Sequence, residues 1–332
     1  MMARGLLLTL LSTSAIAPIA ASATAEPRFA VPIACAMGEE CFVQNYVDTD
    51  PGPGAKDFAC GDLTYDGHKG TDIRLKNYVV MEHGVDVLAA APGTVLRVRD
   101  GMDDVSVREI GFEAIKDREA GNSVIVDHGD GWVTQYAHMK KGSIVVRPGQ
   151  QVAAGEKLGE VGLSGNTEFP HLHFEVRHND EAVDPFTDEP ISAGCGLMDH
   201  PLWRPEIAKA MAYLPSGVLG TGFALGRPDS EAARHGAYAE VALKKDSPAL
   251  VFWIDLFGIE PGDHLVQHLL APDGRVLAET DQPADRSKAQ YFGFVGAKRP
   301  AAGWDAGSYR GVFSLRRNGK PVLEGSAAIA TR

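Results

Sequence analysis

Between residues 60 and 195 the chain alternates short apolar runs with glycine turns, and this rhythm constrains the fold more than any other feature. Thr94–Val98, Ser123–Val126, Trp132–Tyr136, Ser143–Val146, Lys157–Val161 and His173–Arg177 read as strands. Closely spaced strands separated by turn residues predict an antiparallel, all-β domain. Strands do not alternate with helices here, which argues against a parallel sheet.

A second stretch, residues 216–332, carries the same signature. Ala239–Leu243 alternates, and Leu250–Phe257 reads as a buried strand. His264–Leu270 and Arg275–Glu279 flank the turn Pro272-Asp273-Gly274. Tyr309–Arg316 and Pro321–Glu324 flank Asn318-Gly319, a strong hairpin signal. About seven short strands in this length predict an immunoglobulin-like β-sandwich without an inter-sheet cysteine bridge. Residues 196–215 read as a linker, in which Pro205 starts a short helix over Glu206–Met211 and Pro215 ends it. Residues 26–59 read as an N-terminal extension, with four prolines and few regular patterns.

Residues 1–25 read as a secretory signal: Arg4, the apolar run Leu6–Ile19, and Ala23-Thr24-Ala25 as a cleavage site. The run is too short to span a bilayer, and no later segment is long enough. The mature chain is therefore expected to be exported and soluble. Cys35 lies too far beyond the apolar core to be a lipid anchor. Cys35, Cys41, Cys60 and Cys195 are even in number, which in an exported chain reads as two disulfides. Three pairings exist. Cys35–Cys41 with Cys60–Cys195 is favoured, because the second pair brackets residues 60–195. A thiolate zinc site is the weaker alternative, since no Cys-x-x-Cys occurs. A net charge of −12 argues against nucleic acid as a partner.

Pro170-His171-Leu172-His173-Phe174-Glu175-Val176 is the richest motif for chemistry. In a strand, residues i and i+2 share a face, so His171 and His173 project together while Leu172 and Phe174 turn into apolar packing. Gly67-His68-Lys69-Gly70-Thr71-Asp72 and Tyr136-Ala137-His138-Met139 supply two more histidines and a carboxylate. Each piece alone is an ordinary packing or loop feature; together they suit zinc. That ion takes imidazole nitrogens and carboxylate oxygens, and a catalytic site keeps three protein ligands and one open position. Such a site also needs groups that move protons. Spacing leaves open which of His171 and His173 binds metal.

The order His68…Asp72, His138, His171-x-His173 resembles the lysostaphin-type (LytM-like) zinc endopeptidases that cut peptidoglycan peptides. The resemblance covers about residues 60–187 and includes Gly84–Val95, Asn122–Gly129 and Gly149–Gly165. It implies zinc held by His68, Asp72 and His173, with His138 and His171 as the catalytic pair beside the scissile carbonyl. Tyr65 is a further oxyanion candidate. Three departures from the family pattern remove no ligand and are expected to reshape the groove walls: Lys76–His83, the insert Asp100–Ala120, and Glu168-Phe169 before Pro170.

The remaining histidines read as structural: His83, His178, His200, His235, His264 and His268 as surface groups, His128 as ordering the turn at Gly129. Gly162-Leu163-Ser164-Gly165-Asn166 lacks the last glycine of a nucleophile elbow. No Walker or dinucleotide fingerprint follows a strand. The expected function is zinc endopeptidase action on peptidoglycan cross-links. The alternatives are a non-catalytic relative that activates other wall hydrolases, and a structural or adhesion module. The filled histidine set favours the first. The short signal points to a Gram-negative periplasm, hence to a D-alanyl–diaminopimelyl rather than a glycine-rich cross-link. The C-terminal sandwich is expected to bind wall or a protein partner, with groove covering as the second option.

Overall fold

The computed structural model describes residues 26–196, 201–207 and 209–331. The expected signal segment and His200 lie outside them. The strands up to residue 190 are β1 Cys41–Asn45, β2 Thr71–Leu75, β3 Asp86–Leu88, β4 Gly93–Arg99, β5 Asn122–Gly129, β6 Trp132–Met139, β7 Gln151–Val152, β8 Lys157–Glu160, β9 His171–His178, β10 Glu181–Asp184 and β11 Glu189–Pro190. Nine of them form one antiparallel sheet, with the path β1-β2-β9-β6-β5-β4-β7 and with β10 and β11 appended beside β9. β3 and β8 form a separate pair.

Cross-strand register sorts the two faces of this sheet. Ile73 pairs with Leu172, Tyr136 with Phe174 and Thr134 with Val176, and these side chains enter the core. Asp72 pairs with His173, Arg74 with His171, Gln135 with Glu175 and Ala137 with His173, so the opposite face gathers the polar groups. The alternation in Pro170–Val176 is what builds this division.

The N-terminal extension joins the sheet, because β1 is the edge strand beside β2. Cys35–Cys41 and Cys60–Cys195 are both bonded. Lys76–His83 folds as helix α1, Tyr78–His83, capped by Asn77, whose Oδ1 accepts from Val80 N at 3.0 Å. The Asp100–Ala120 insert holds the single turn α2, Val107–Ile110, and a 3₁₀ turn at Phe112–Ala114.

Beyond residue 216 the strands are β12 Gly217–Ala224, β13 Ala249–Ile259, β14 His264–Leu270, β15 Val276–Pro283, β16 Lys288–Lys298, β17 Ser308–Arg317 and β18 Lys320–Ala330, with helix α3 at Ser230–Arg234. They form two sheets, β12-β13-β16 and β15-β14-β17-β18. Phe252, Ile254 and Leu256 from the first sheet share a core with Leu265, Phe313 and Leu315 from the second. At the start of β17 the Tyr309 hydroxyl accepts from Asp305 N at 2.9 Å and donates to Asp305 O at 3.2 Å. This closure resembles the tyrosine corner of immunoglobulin-type sandwiches. Asn318 and Gly319 both take positive φ, 51° and 76°, as the two-residue turn between β17 and β18 requires.

Three sequence expectations need correction. Ser143–Val146 is not a strand; Val145 bonds Leu158 O through its amide, but its side chain is 62 % exposed. Ala239–Leu243 makes only an isolated bridge from Leu243 to Thr331. The described part of Glu206–Met211 is a 3₁₀ turn over Pro205–Ile207 followed by turns.

Candidate metal centre

The polar face of the sheet brings all five predicted residues into one cleft. β2 delivers Asp72 and β9 delivers His171 and His173. His68 comes from the loop before β2. A β-bulge aims His138: Asn122 pairs with Met139 and Val124 with Tyr136, so one residue of β5 opposes two of β6. His138 consequently adopts φ 60°, a strained conformation for a non-glycine residue. Close approach to β9 requires glycine at position 70, since a Cβ there would lie 2.6 Å from His173 Nε2 and 2.9 Å from Phe174 O.

Two groups of possible ligands share His173: His68, Asp72 and His173, and His138, His171 and His173. In the first, His68 Nε2 lies 3.1 Å from Asp72 Oδ1 and 3.2 Å from His173 Nδ1, and His173 Nδ1 lies 2.8 Å from Asp72 Oδ1. Tetrahedral ligands at zinc bond lengths sit about 3.3 Å apart, close to these separations. His171 Nε2 stands at 3.4 Å from Asp72 Oδ1, in front of this group.

Backbone carbonyls fix the proton on three of the four rings. His68 Nδ1 donates to Tyr46 O at 2.6 Å, His138 Nδ1 to Ser164 O at 2.8 Å and His171 Nδ1 to Phe169 O at 2.9 Å. With Nδ1 so engaged, each of these rings turns Nε2 into the cleft. His173 is reversed: Nδ1 faces Asp72 and Nε2 faces Glu175 Oε2 at 3.9 Å. Asn45 Nδ2 donates to Asp72 Oδ2 at 2.9 Å, leaving Oδ1 for the centre. With His173 Nδ1 directed at Asp72, the Nε2 atoms of His68 and His171 and the Asp72 carboxylate converge as ligand atoms on one point, which is the donor chemistry of a cation site.

The electrostatics agree. Burial by itself raises the Asp72 carboxyl, yet the adjacent His68, His171 and His173 hold it well below the usual carboxylate range. Burial, reinforced by His171 and His173, pushes the His138 imidazole well below its usual value and keeps it neutral. For His173 burial works downward, but Asp72 and Glu175 outweigh it and bring the ring to about 9. Positive charge is thus favoured where the first group of ligands meets.

The cleft above has a volume of about 230 Å³, and Tyr65, Lys69, Glu119, Gln135, Asn166 and Glu175 line it. Tyr65 stacks on His68 with ring centroids 4.4 Å apart. Glu119 comes from the insert, which therefore does form part of the groove wall. His128 has a different task from ordering the Gly129 turn: its ring binds Pro92 O and Thr134 Oγ1, both at 2.8 Å. His178 stacks on Trp132, His235 stacks on Tyr78 and His264 pairs with exposed Asp281. Sequence reasoning missed Asn45 and the three carbonyls of Tyr46, Ser164 and Phe169. Only Glu175, two residues after His173 on the same face, carried a readable signal.

Residues 66–185 match the model of Peptidase family M23. Cell division protein DipM of Caulobacter vibrioides is 40 % identical over 95 residues, 29 % of this chain and 14 % of that protein. Peptidoglycan DD-endopeptidase ShyA of Vibrio cholerae is 42 % identical over 57 residues, 17 % of this chain and 13 % of that one. Murein hydrolase activator NlpD of Escherichia coli is 29 % identical over 102 residues, 31 % and 24 % respectively. The chain thus spans less than a quarter of the length of each relative. Among the described residues no helix is long and apolar enough to cross a membrane.

Proposed function

We propose that this protein is an exported zinc endopeptidase that hydrolyses peptide cross-links of peptidoglycan, acting in the periplasm. The observation that carries the reading is the convergence of five side chains, three of them imidazoles whose Nδ1 is held by a backbone carbonyl. His68 Nε2, Asp72 Oδ1 and His173 Nδ1 would hold the metal. Zinc bound there would polarise the scissile carbonyl and lower the pKa of a water molecule to about 7. His138 and His171 each present a free Nε2 and can accept one proton there. Their ring centroids lie 4.7 Å apart, so the ring that takes a proton from the attacking water can release that same proton to the leaving amine, with the neighbouring ring within reach to share it. Asp72 stays ionised and offsets the ligand-site charge.

The second reading is a non-catalytic activator, favoured by the likeness to NlpD. The experiment that separates them is digestion of purified sacculi by the zinc-loaded protein and by His138→Ala and His171→Ala. The expected result is cleaved cross-links identified by mass, with turnover lowered about 10²–10⁴-fold in each variant and metal retained. An inert wild type carrying stoichiometric zinc would favour the activator.

A further inference from the structure

Arg74 follows Asp72 by two residues on β2, shares its face and stands in register with His171. It is 1 % exposed, and a buried guanidinium persists only where its donors find partners. Nε donates to Leu75 O at 3.2 Å, and a terminal nitrogen donates to the Gln44 side chain of β1. The remaining partner comes from the C-terminal sandwich. The Gln290 amide of β16, with its oxygen turned inward, accepts from both terminal nitrogens at 2.6 and 2.8 Å. The guanidinium carbon lies 4.5 Å from the centroid of the Phe169 ring, a cation–π contact.

Phe169 matters because its carbonyl accepts the Nδ1–H of His171 at 2.9 Å, with Thr167 Oγ1 beside it at 3.0 Å from the same nitrogen. Thr167 Oγ1 braces the same carbonyl at 2.8 Å. A second sandwich residue reaches this segment by another route. His235 stacks on Tyr78, with centroids 4.0 Å apart and planes 6° from parallel, and the Tyr78 hydroxyl donates to Glu168 O at 3.2 Å. Two residues of the sandwich therefore each touch a group that holds residues 168–169.

We propose that Arg74 is a positioning residue, anchored by the sandwich through Gln290, that fixes the Phe169 segment and thereby the Nδ1–H tautomer of His171. The sandwich is then a structural part of the catalytic cleft, whatever else it binds. The inference rests on His171 handling a proton in the proposed reaction. Lysine does not replace this arginine, because a point-like ammonium offers neither the planar face for Phe169 nor the fork for the two glutamines.

The test uses the full zinc-loaded chain with ¹⁵N-labelled histidine at a fixed pH of about 8, above the usual imidazole range. His171 is assigned through the spectrum of His171→Gln. Wild type is expected to show His171 in one form, protonated at Nδ1. Gln290→Leu and Arg74→Lys are expected to show a mixture of tautomers, with kcat on a soluble cross-linked peptide lowered about two- to tenfold, the worth of one hydrogen bond, and KM unchanged. An unaltered tautomer in both variants would overturn the proposal, even if both are less stable. If Arg74→Lys does not fold, Gln290→Leu decides alone by the same two results. If wild type cleaves nothing, the peptidase reading fails, while the tautomer shift still decides the role of Arg74.

Discussion

Asn45→Ala is the sharpest probe of how the proposed metal centre is built. Asn45 Nδ2 holds Asp72 Oδ2 at 2.9 Å, and Asp72 is 2 % exposed. Removing the amide leaves a buried carboxylate oxygen without that partner, which costs about 1–3 kcal/mol. The carboxylate then gains freedom to rotate, and Oδ1 is no longer fixed at 3.1 Å from His68 Nε2 and 2.8 Å from His173 Nδ1. Groups that orient a ligand in this way typically contribute about 10–100-fold to metal affinity, a range consistent with the hydrogen-bond cost. Competition against a chromophoric zinc chelator at constant pH is expected to show the Asn45→Ala protein binding zinc about 10–100-fold more weakly. Asn45→Asp should be worse than Asn45→Ala, because it sets a second carboxylate against Oδ2. Affinity within about twofold of wild type in Asn45→Ala would refute the orienting role. Stoichiometric zinc retained by Asp72→Ala would remove Asp72 from the ligand set.

Two further outcomes follow from other parts of the fold. Cys60–Cys195 spans 135 residues and Cys35–Cys41 spans six. In the chain-entropy account the two bridges contribute about 5 and about 2 kcal/mol. Denaturant unfolding of Cys60→Ser/Cys195→Ser should therefore show the larger loss, and an equal or reversed order would contradict the account. Asp184 is fully buried, and burial, with Asp57 near, raises its carboxyl from 3.8 to about 7. The folded chain thus holds a proton that the unfolded chain releases between pH 4 and 7, so this group's contribution to stability falls as pH rises through that window. Asp184→Asn should stabilise the protein at pH 8 and converge with wild type near pH 4; a difference that does not change with pH would refute this.

How much was legible in the sequence depended on the range of the interaction involved. Period-two alternation placed His171 and His173 on one face because pleating is a local property of the chain. Asn318-Gly319 announced its hairpin because only a few residue types accept positive φ at low cost. By contrast, β12 went unread because its glycines look like turn residues. In the fold they are required by a partner strand: a Cβ at Gly222 would lie 2.7 Å from Trp253 Cζ2. The run Ser143–Val146 misled for the opposite reason, since apolar β-branched residues predict a strand even where the sheet offers no neighbour.

The sequence by itself determined the all-β architecture, the candidate metal-ligating residues, and the faces from which they project, since these follow from local periodicity and side-chain chemistry. Tertiary structure alone decided which nitrogen of each imidazole faces the cleft. That choice belongs to carbonyls at Tyr46, Ser164 and Phe169, groups that every residue carries and that no sequence pattern marks. It likewise decided that Asn45 orients Asp72 across 27 positions, and that Gln290 reaches Arg74 from the far end of the chain. Hydrogen bonds of this kind depend on ångström-scale proximity, which exists only once the sheets have packed.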